Sequence, residues 1–87
     1  MLFQPGEFIA TPAVLAAVPR SVIDAAIARH LSGDWGDMTD EDKRTNNQAL
    51  KDGSRLFSAY QVRKDTRIWI ITEADRSATT VLLPEDY

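Results

Sequence analysis

Leu56-Phe57-Ser58-Ala59-Tyr60-Gln61-Val62, Arg67-Ile68-Trp69-Ile70-Ile71-Thr72 and Ala78-Thr79-Thr80-Val81-Leu82-Leu83 are three runs rich in β-branched and aromatic residues. Such residues fit a pleated, half-buried surface, so each run reads as a strand. The joins, Arg63-Lys64-Asp65-Thr66 and Ala74-Asp75-Arg76-Ser77, are short and polar. Joins of that length turn a chain back on itself and cannot hold a crossover, so the runs form an antiparallel meander. Upstream, Glu7-Phe8-Ile9-Ala10 is a fourth short apolar run and a candidate edge strand.

Between that run and the meander the pattern is helical. Thr11-Pro12 places an N-cap before a proline at the first helical position, Ala13 to Ala17 supplies one or two turns, and Pro19 ends them. Ser21 with Asp24 reads as an acidic capping box for a second helix over Val22 to Leu31, closed by Gly33. Ile23, Ala26, Ile27 and His30 or Leu31 share one face of it. Thr39 caps a third helix whose first turn, Asp40-Glu41-Asp42, complements the helix dipole, and which stops at Gly53. Its apolar content is chiefly Ala49 and Leu50, which predicts a surface helix with a narrow contact stripe. The expected fold is α+β: two to three short N-terminal helices packed on a three-stranded antiparallel meander, in one domain over residues 1–87.

Composition narrows the function. The 87 residues are 44% hydrophobic and 26% charged, which suits a soluble folded domain. A net charge of −3 argues against general adhesion to nucleic acid or to an anionic membrane. The longest uncharged stretch, Phe8 to Pro19, is too short for a bilayer, and residues 1–5 lack the features of a signal peptide, so a cytoplasmic protein is expected. Zero cysteines removes disulfide and thiolate chemistry, and a single histidine, His30, makes a structural zinc site unfavourable. No cofactor motif is present, and none is expected.

Four groups of residues are candidates for a site. Strict alternation puts Leu56, Tyr60, Val62, Ile68, Ile70 and Leu82 on one face of the sheet and Phe57, Ala59, Trp69, Ile71, Val81 and Leu83 on the other. Both faces are then apolar, and one layer of helices covers only one of them. Helices on both sides, a homodimer or a protein partner would cover the second. Arg55, Phe57, Arg63, Arg67 and Trp69 would interleave basic and aromatic groups there, a pattern also used to bind single-stranded nucleic acid.

His30 sits near a helix C-terminus, where a charged imidazole is favoured and its pKa is expected to rise. With Asp34, Asp37, Glu73 and Asp75 it would form a metal-dependent nuclease or hydrolase site, with Arg76 as a further binding residue from the second hairpin. The acidic loop itself fails as an EF-hand: counting from Asp34, the third, fifth and sixth positions are Gly36, Met38 and Thr39. Asp34 and Asp37 suit turn and cap hydrogen bonds instead. Trp35, between Gly33 and Gly36, is expected either to plug a gap between the second helix and the sheet or to act as an exposed binding hot spot.

Gly6, Ala10-Thr11-Pro12, Arg29 to Asp37, Glu41-Asp42, Asn46, Ala49-Leu50, Gly53 to Tyr60 and, above all, Ile68 to Glu85 carry a resemblance that spans nearly the whole chain. In these blocks the sequence resembles a family of short bacterial plasmid-related proteins from plasmids and integrative elements, sometimes labelled type I restriction subunits. The cofactor-binding fold of a methyltransferase is larger than this chain. The resemblance implies a setting on mobile DNA and no particular activity. Taken with the double-sided apolar sheet and the absence of a catalytic signature, it leads to the expectation of a small non-catalytic accessory or anti-defence factor, anti-restriction or anti-CRISPR, that binds a host defence complex.

Overall fold

The computed structural model describes residues 1–87 and contains the expected meander: β2 (Leu56–Arg63), β3 (Thr66–Thr72) and β4 (Ala78–Leu82), antiparallel throughout. The fourth run is β1 (Glu7–Ala10), which lies beside β4 and parallel to it, with Glu7 opposite Ala78 and Ala10 opposite Val81. The sheet is thus mixed, in the order β1-β4-β3-β2. Three helices, α1 (Pro12–Ala17), α2 (Arg20–Leu31) and α3 (Asp40–Asp52), precede the meander, and a 3-10 turn over Pro84–Asp86 follows it. The class is α+β. The Cα radius of gyration, 12.1 Å, is that of one small domain of this length.

The helix ends follow their capping chemistry with one exception. Thr11 accepts from Val14 N–H and Thr39 from Asp42 N–H, while Gly53 closes α3 in the left-handed conformation at φ 77°. α2 begins earlier than the Ser21 cap predicts. Pro19 is extended, and its carbonyl takes the N–H groups of Val22 and Ile23, which starts the helix at Arg20. Asp24 is then free to pair with Arg20 at 3.3 Å instead of closing a capping box.

Strand pairing corrects the expected faces. Ile70 lies opposite Val81 and Trp69 opposite Leu82, so Val81 belongs to the helix-covered side and Leu82 to the other. Simple apolar alternation fails here because the inward residues at the start of β4 and end of β3 are Thr79 and Thr72, both fully buried. Their hydroxyls have partners inside the core, so neither has to face water. The main core joins Val14, Val18, Ile23 and Ala26 of the α1–α2 region to Tyr60, Ile68, Ile70 and Val81 of the sheet. A second, smaller core joins Trp35, Ala49 and Leu56, with Phe3, Met38 and Leu50 packed around it. As the sequence predicts, α3 buries only a stripe, Asn46 and Ala49.

Candidate functional site

His30 lies in the interior, fully buried at the end of α2. Its Nδ1 is 2.5 Å from Ser58 Oγ and its Nε2 is 2.9 Å from Thr72 Oγ1. Thr72 Oγ1 is 2.8 Å from Thr79 Oγ1, which is 2.7 Å from the Pro5 carbonyl. A carbonyl only accepts, and each hydroxyl has one proton, so the direction of the whole chain is fixed from that end. Thr79 donates to Pro5, Thr72 donates to Thr79, and His30 Nε2–H donates to Thr72. Nδ1 is left as an acceptor for the Ser58 hydroxyl. The imidazole is neutral, and burial pushes its pKa down to about 4. This reverses the rise expected at a helix C-terminus: loss of hydration outweighs the dipole once no water reaches the ring.

The remaining members of the proposed hydrolytic group do not join it. Asp34 is half exposed and receives Arg29 Nε at 2.6 Å, and that guanidinium holds its carboxyl below the usual range. Asp37 Oδ2 accepts Gln61 N–H at 2.7 Å. Asp75 is a turn residue held low by Ser77, whose N–H donates to it at 2.9 Å, and Glu73 is exposed. No group of three His, Asp or Glu side chains comes together to hold a metal, and neither main surface cavity contains any of the five. The acidic residues act singly, as loop and turn acceptors.

Trp35 is 2% exposed, which removes it from the binding residues. Its indole N–H donates to Asn47 Oδ1 at 3.0 Å, and its ring meets His30 edge-on at 5.6 Å and Phe3 at 6.5 Å. It fills the corner between α2, α3 and β2, close to the expected plug but with α3 as a third wall. Arg76 is likewise occupied. At a φ of 61°, it sends its guanidinium to the carbonyls of Ser54, Glu73, Ala74 and Ala49, tying the β3–β4 turn to the end of α3.

Arg55, Phe57 and Trp69 come together on the side of the sheet away from the main core, and Arg67 shares that face two residues before Trp69, its guanidinium toward Gln61. The Phe57 and Trp69 rings are 4.9 Å apart, and Tyr87 adds a third ring 5.8 Å from Trp69. Arg55 lies over Tyr87 at 5.4 Å and donates to its hydroxyl at 2.9 Å. Phe57 and Trp69 are half-buried, while Tyr87, Arg55 and Arg67 are exposed. Arg63 leaves this group, because the bulge between Gln61 and Arg63 breaks the alternation and pairs Arg63 with Thr66. Tyr87 was not legible as a member, since no strand periodicity reaches the C-terminal turn that delivers it.

The two sheet edges differ. Along β2 the outward backbone groups are all taken from Phe57 to the Gln61 N–H. Asn46 donates to the Phe57 carbonyl at 2.7 Å and accepts its N–H at 3.1 Å. Ala59 N–H donates to the Trp35 carbonyl at 3.2 Å, Asp37 N–H donates to the Ala59 carbonyl at 2.6 Å, and Gln61 N–H goes to Asp37. Along β1 no strand lies beyond. Beside it, between β1 and α2, runs an apolar groove of about 560 Å³ with Ala10, Leu15, Ile23 and Ile27 in its walls, and Phe8, Ile9 and Leu15 are each about half exposed.

No protein-family model matches this chain, and no curated protein or solved structure matches it significantly. No helix is long and apolar enough to cross a membrane.

Proposed function

We propose that this protein is a non-catalytic partner-binding domain that works in the cytoplasm, and that its binding surface is the Phe57–Trp69–Tyr87 cluster with Arg55 and Arg67. The observation that carries this reading is the composition of that surface. Trp, Tyr and Arg are the residues that dominate binding energy at protein interfaces, and here they are gathered on one sheet face, prepositioned by ring packing and by the Arg55–Tyr87 contact. The resemblance to plasmid-related proteins supplies the setting: an accessory or anti-defence factor from mobile DNA, with a host defence complex as the partner.

Capture from a host lysate, run side by side with the parent, with Trp69→Ala and with an unrelated domain, tests the reading. A protein held by the parent and released by Trp69→Ala at unchanged melting temperature supports it. Equal capture by both chains overturns it, and so does turnover of nucleic acid or nucleotide by the purified parent.

A second reading has a specific observation behind it: basic and aromatic side chains interleave on this face as they do on platforms for single-stranded nucleic acid. The net charge of −3 weighs against it. Salt separates the two, because an oligonucleotide held by Arg55 and Arg67 loses affinity with a logarithmic slope of about −0.7 per phosphate contact.

A further inference from the structure

From the open edge of β1 we infer that the chain pairs with a second copy of itself, β1 against β1, in an antiparallel two-fold dimer that continues the sheet. Glu7 N–H donates to the Ser77 carbonyl and Thr11 N–H to the Val81 carbonyl, both in β4's direction. In a strand with alternating backbone directions, the N–H and C=O of Phe8 and Ala10 therefore face outward. Water satisfies such a row in the free chain, and another extended chain can replace it in register, which makes the edge a template for strand pairing. The second sheet edge does not offer one, because Asn46, Trp35 and Asp37 already occupy β2.

The register follows from the residues available. Pairing Phe8 with the partner's Ala10, and Ala10 with the partner's Phe8, uses every outward group of β1, each pair exchanging both of its N–H···O=C bonds. Sliding one way would require Gly6, whose φ of 68° is not a strand conformation, and sliding the other way would require Pro12, which has no N–H and opens α1. The side chains agree with this register. Phe8 and Ala10 both point to the α2 side, so the large ring of each copy comes to lie beside the small Ala10 of the other, over the groove walled by Leu15, Ile23 and Ile27. Ile9 faces its own counterpart across the two-fold axis on the opposite side. A self-complementary large-and-small pattern on one strand is what an isologous contact needs, and it selects a second copy over an unrelated strand. A contact through one four-residue strand lies at the small end of interfaces, below about 1,200 Å² in total, so the dimer is expected to be weak and reversible.

The test is sedimentation velocity from about 10 µM to about 1 mM, combined with directed crosslinking. The parent is expected to shift reversibly from monomer to dimer. Ala10→Pro, which deletes an outward N–H and leaves the bonds to β4 intact, and Phe8→Lys, which removes the ring, are both expected to remain monomeric. The axis places the two Ile9 Cα atoms about 4.5 Å apart, within disulfide range. With no native cysteine to compete, Ile9→Cys is expected to crosslink under mild oxidation roughly tenfold or more faster than Lys64→Cys on the β2–β3 turn. A parent monomeric at all concentrations, equal crosslinking rates, or undiminished association of Phe8→Lys overturns the proposal. Trp69→Ala is expected to leave self-association unchanged, so this result and the partner-capture result stand or fall separately.

Discussion

Lowering the pH from about 7 to about 5 should destabilise this protein chiefly through His30. The unfolded chain takes up a proton on the imidazole at its ordinary value of 6.5, whereas the folded chain resists until about 4. Protons therefore bind the unfolded state first: the stabilisation is complete above 6.5 and is lost as pH falls toward 4. The full difference corresponds to about 3 kcal/mol, of which about 2 kcal/mol is lost between pH 7 and pH 5. In a domain this size that lowers Tm by on the order of 10 °C. The structural reason is that the ring is fully buried and its hydrogen-bond partners are neutral hydroxyls, so no carboxylate among them offsets the charge that a second ring proton brings.

Urea titrations at both pH values, on the parent and on His30→Gln, measure it. The window stays above the range in which carboxylates titrate, and the variant subtracts what remains of them. The parent should lose about 2 kcal/mol and the variant only a few tenths of that. Equal losses would refute the reasoning. So would nitrogen NMR placing the ring proton of the folded state on Nδ1, because the hydroxyl chain permits only the Nε2–H form.

Three further substitutions probe the rest of the core. Trp35→Ala should cost about 3 to 5 kcal/mol by chemical denaturation, since the indole is the largest member of the second core; a nearly unchanged Tm would show that the corner collapses without it. Asn46→Ala leaves the Phe57 N–H and C=O without their partner and should cost about 1 to 3 kcal/mol, with faster amide exchange at Phe57 as the local readout. Gly36→Ala places a methyl group against the Ala59 carbonyl and the Tyr60 ring at a φ of 77°, and should cost about 2 kcal/mol or more in the same denaturation assay.

The meander, the caps at Thr11, Thr39 and Gly53 and the stripe of α3 were legible because each rests on local chemistry: a polar join, a hydroxyl acceptor, a left-handed glycine. The assignment of Val81 and Leu82 to faces was not, because Thr72 and Thr79 look like outward residues until their hydroxyls are found in one hydrogen-bonded chain. His30 misled for the same reason. Its place near a helix end is local, but its pKa is lowered by burial, in a core where its ring partners Ser58 and Thr72 lie 28 and 42 residues away. Trp69, Phe57, Arg55 and Arg67 were read correctly as one face, since alternation alone brings them together, and Arg63 was lost to a bulge that alternation does not reveal. Asn46 carried a readable signal, an amide on the same stripe as Ala49 and Leu50, where a polar group needs a backbone partner.

The asymmetry of the sheet edges has a consequence for how many chains can associate. In the language of step-growth chemistry, a sheet with two free edges is a bifunctional monomer, and joining such units end to end has no natural stop. Asn46, Trp35 and Asp37 act as an end-capping reagent on β2, which leaves the protein monofunctional. If β1 pairs with a second copy, growth terminates after that single coupling. Covering one edge in this way is a device that works against open-ended strand addition, and loss of the Asn46 cap would free the Phe57 end of β2 while Trp35 and Asp37 still hold Ala59 and Gln61.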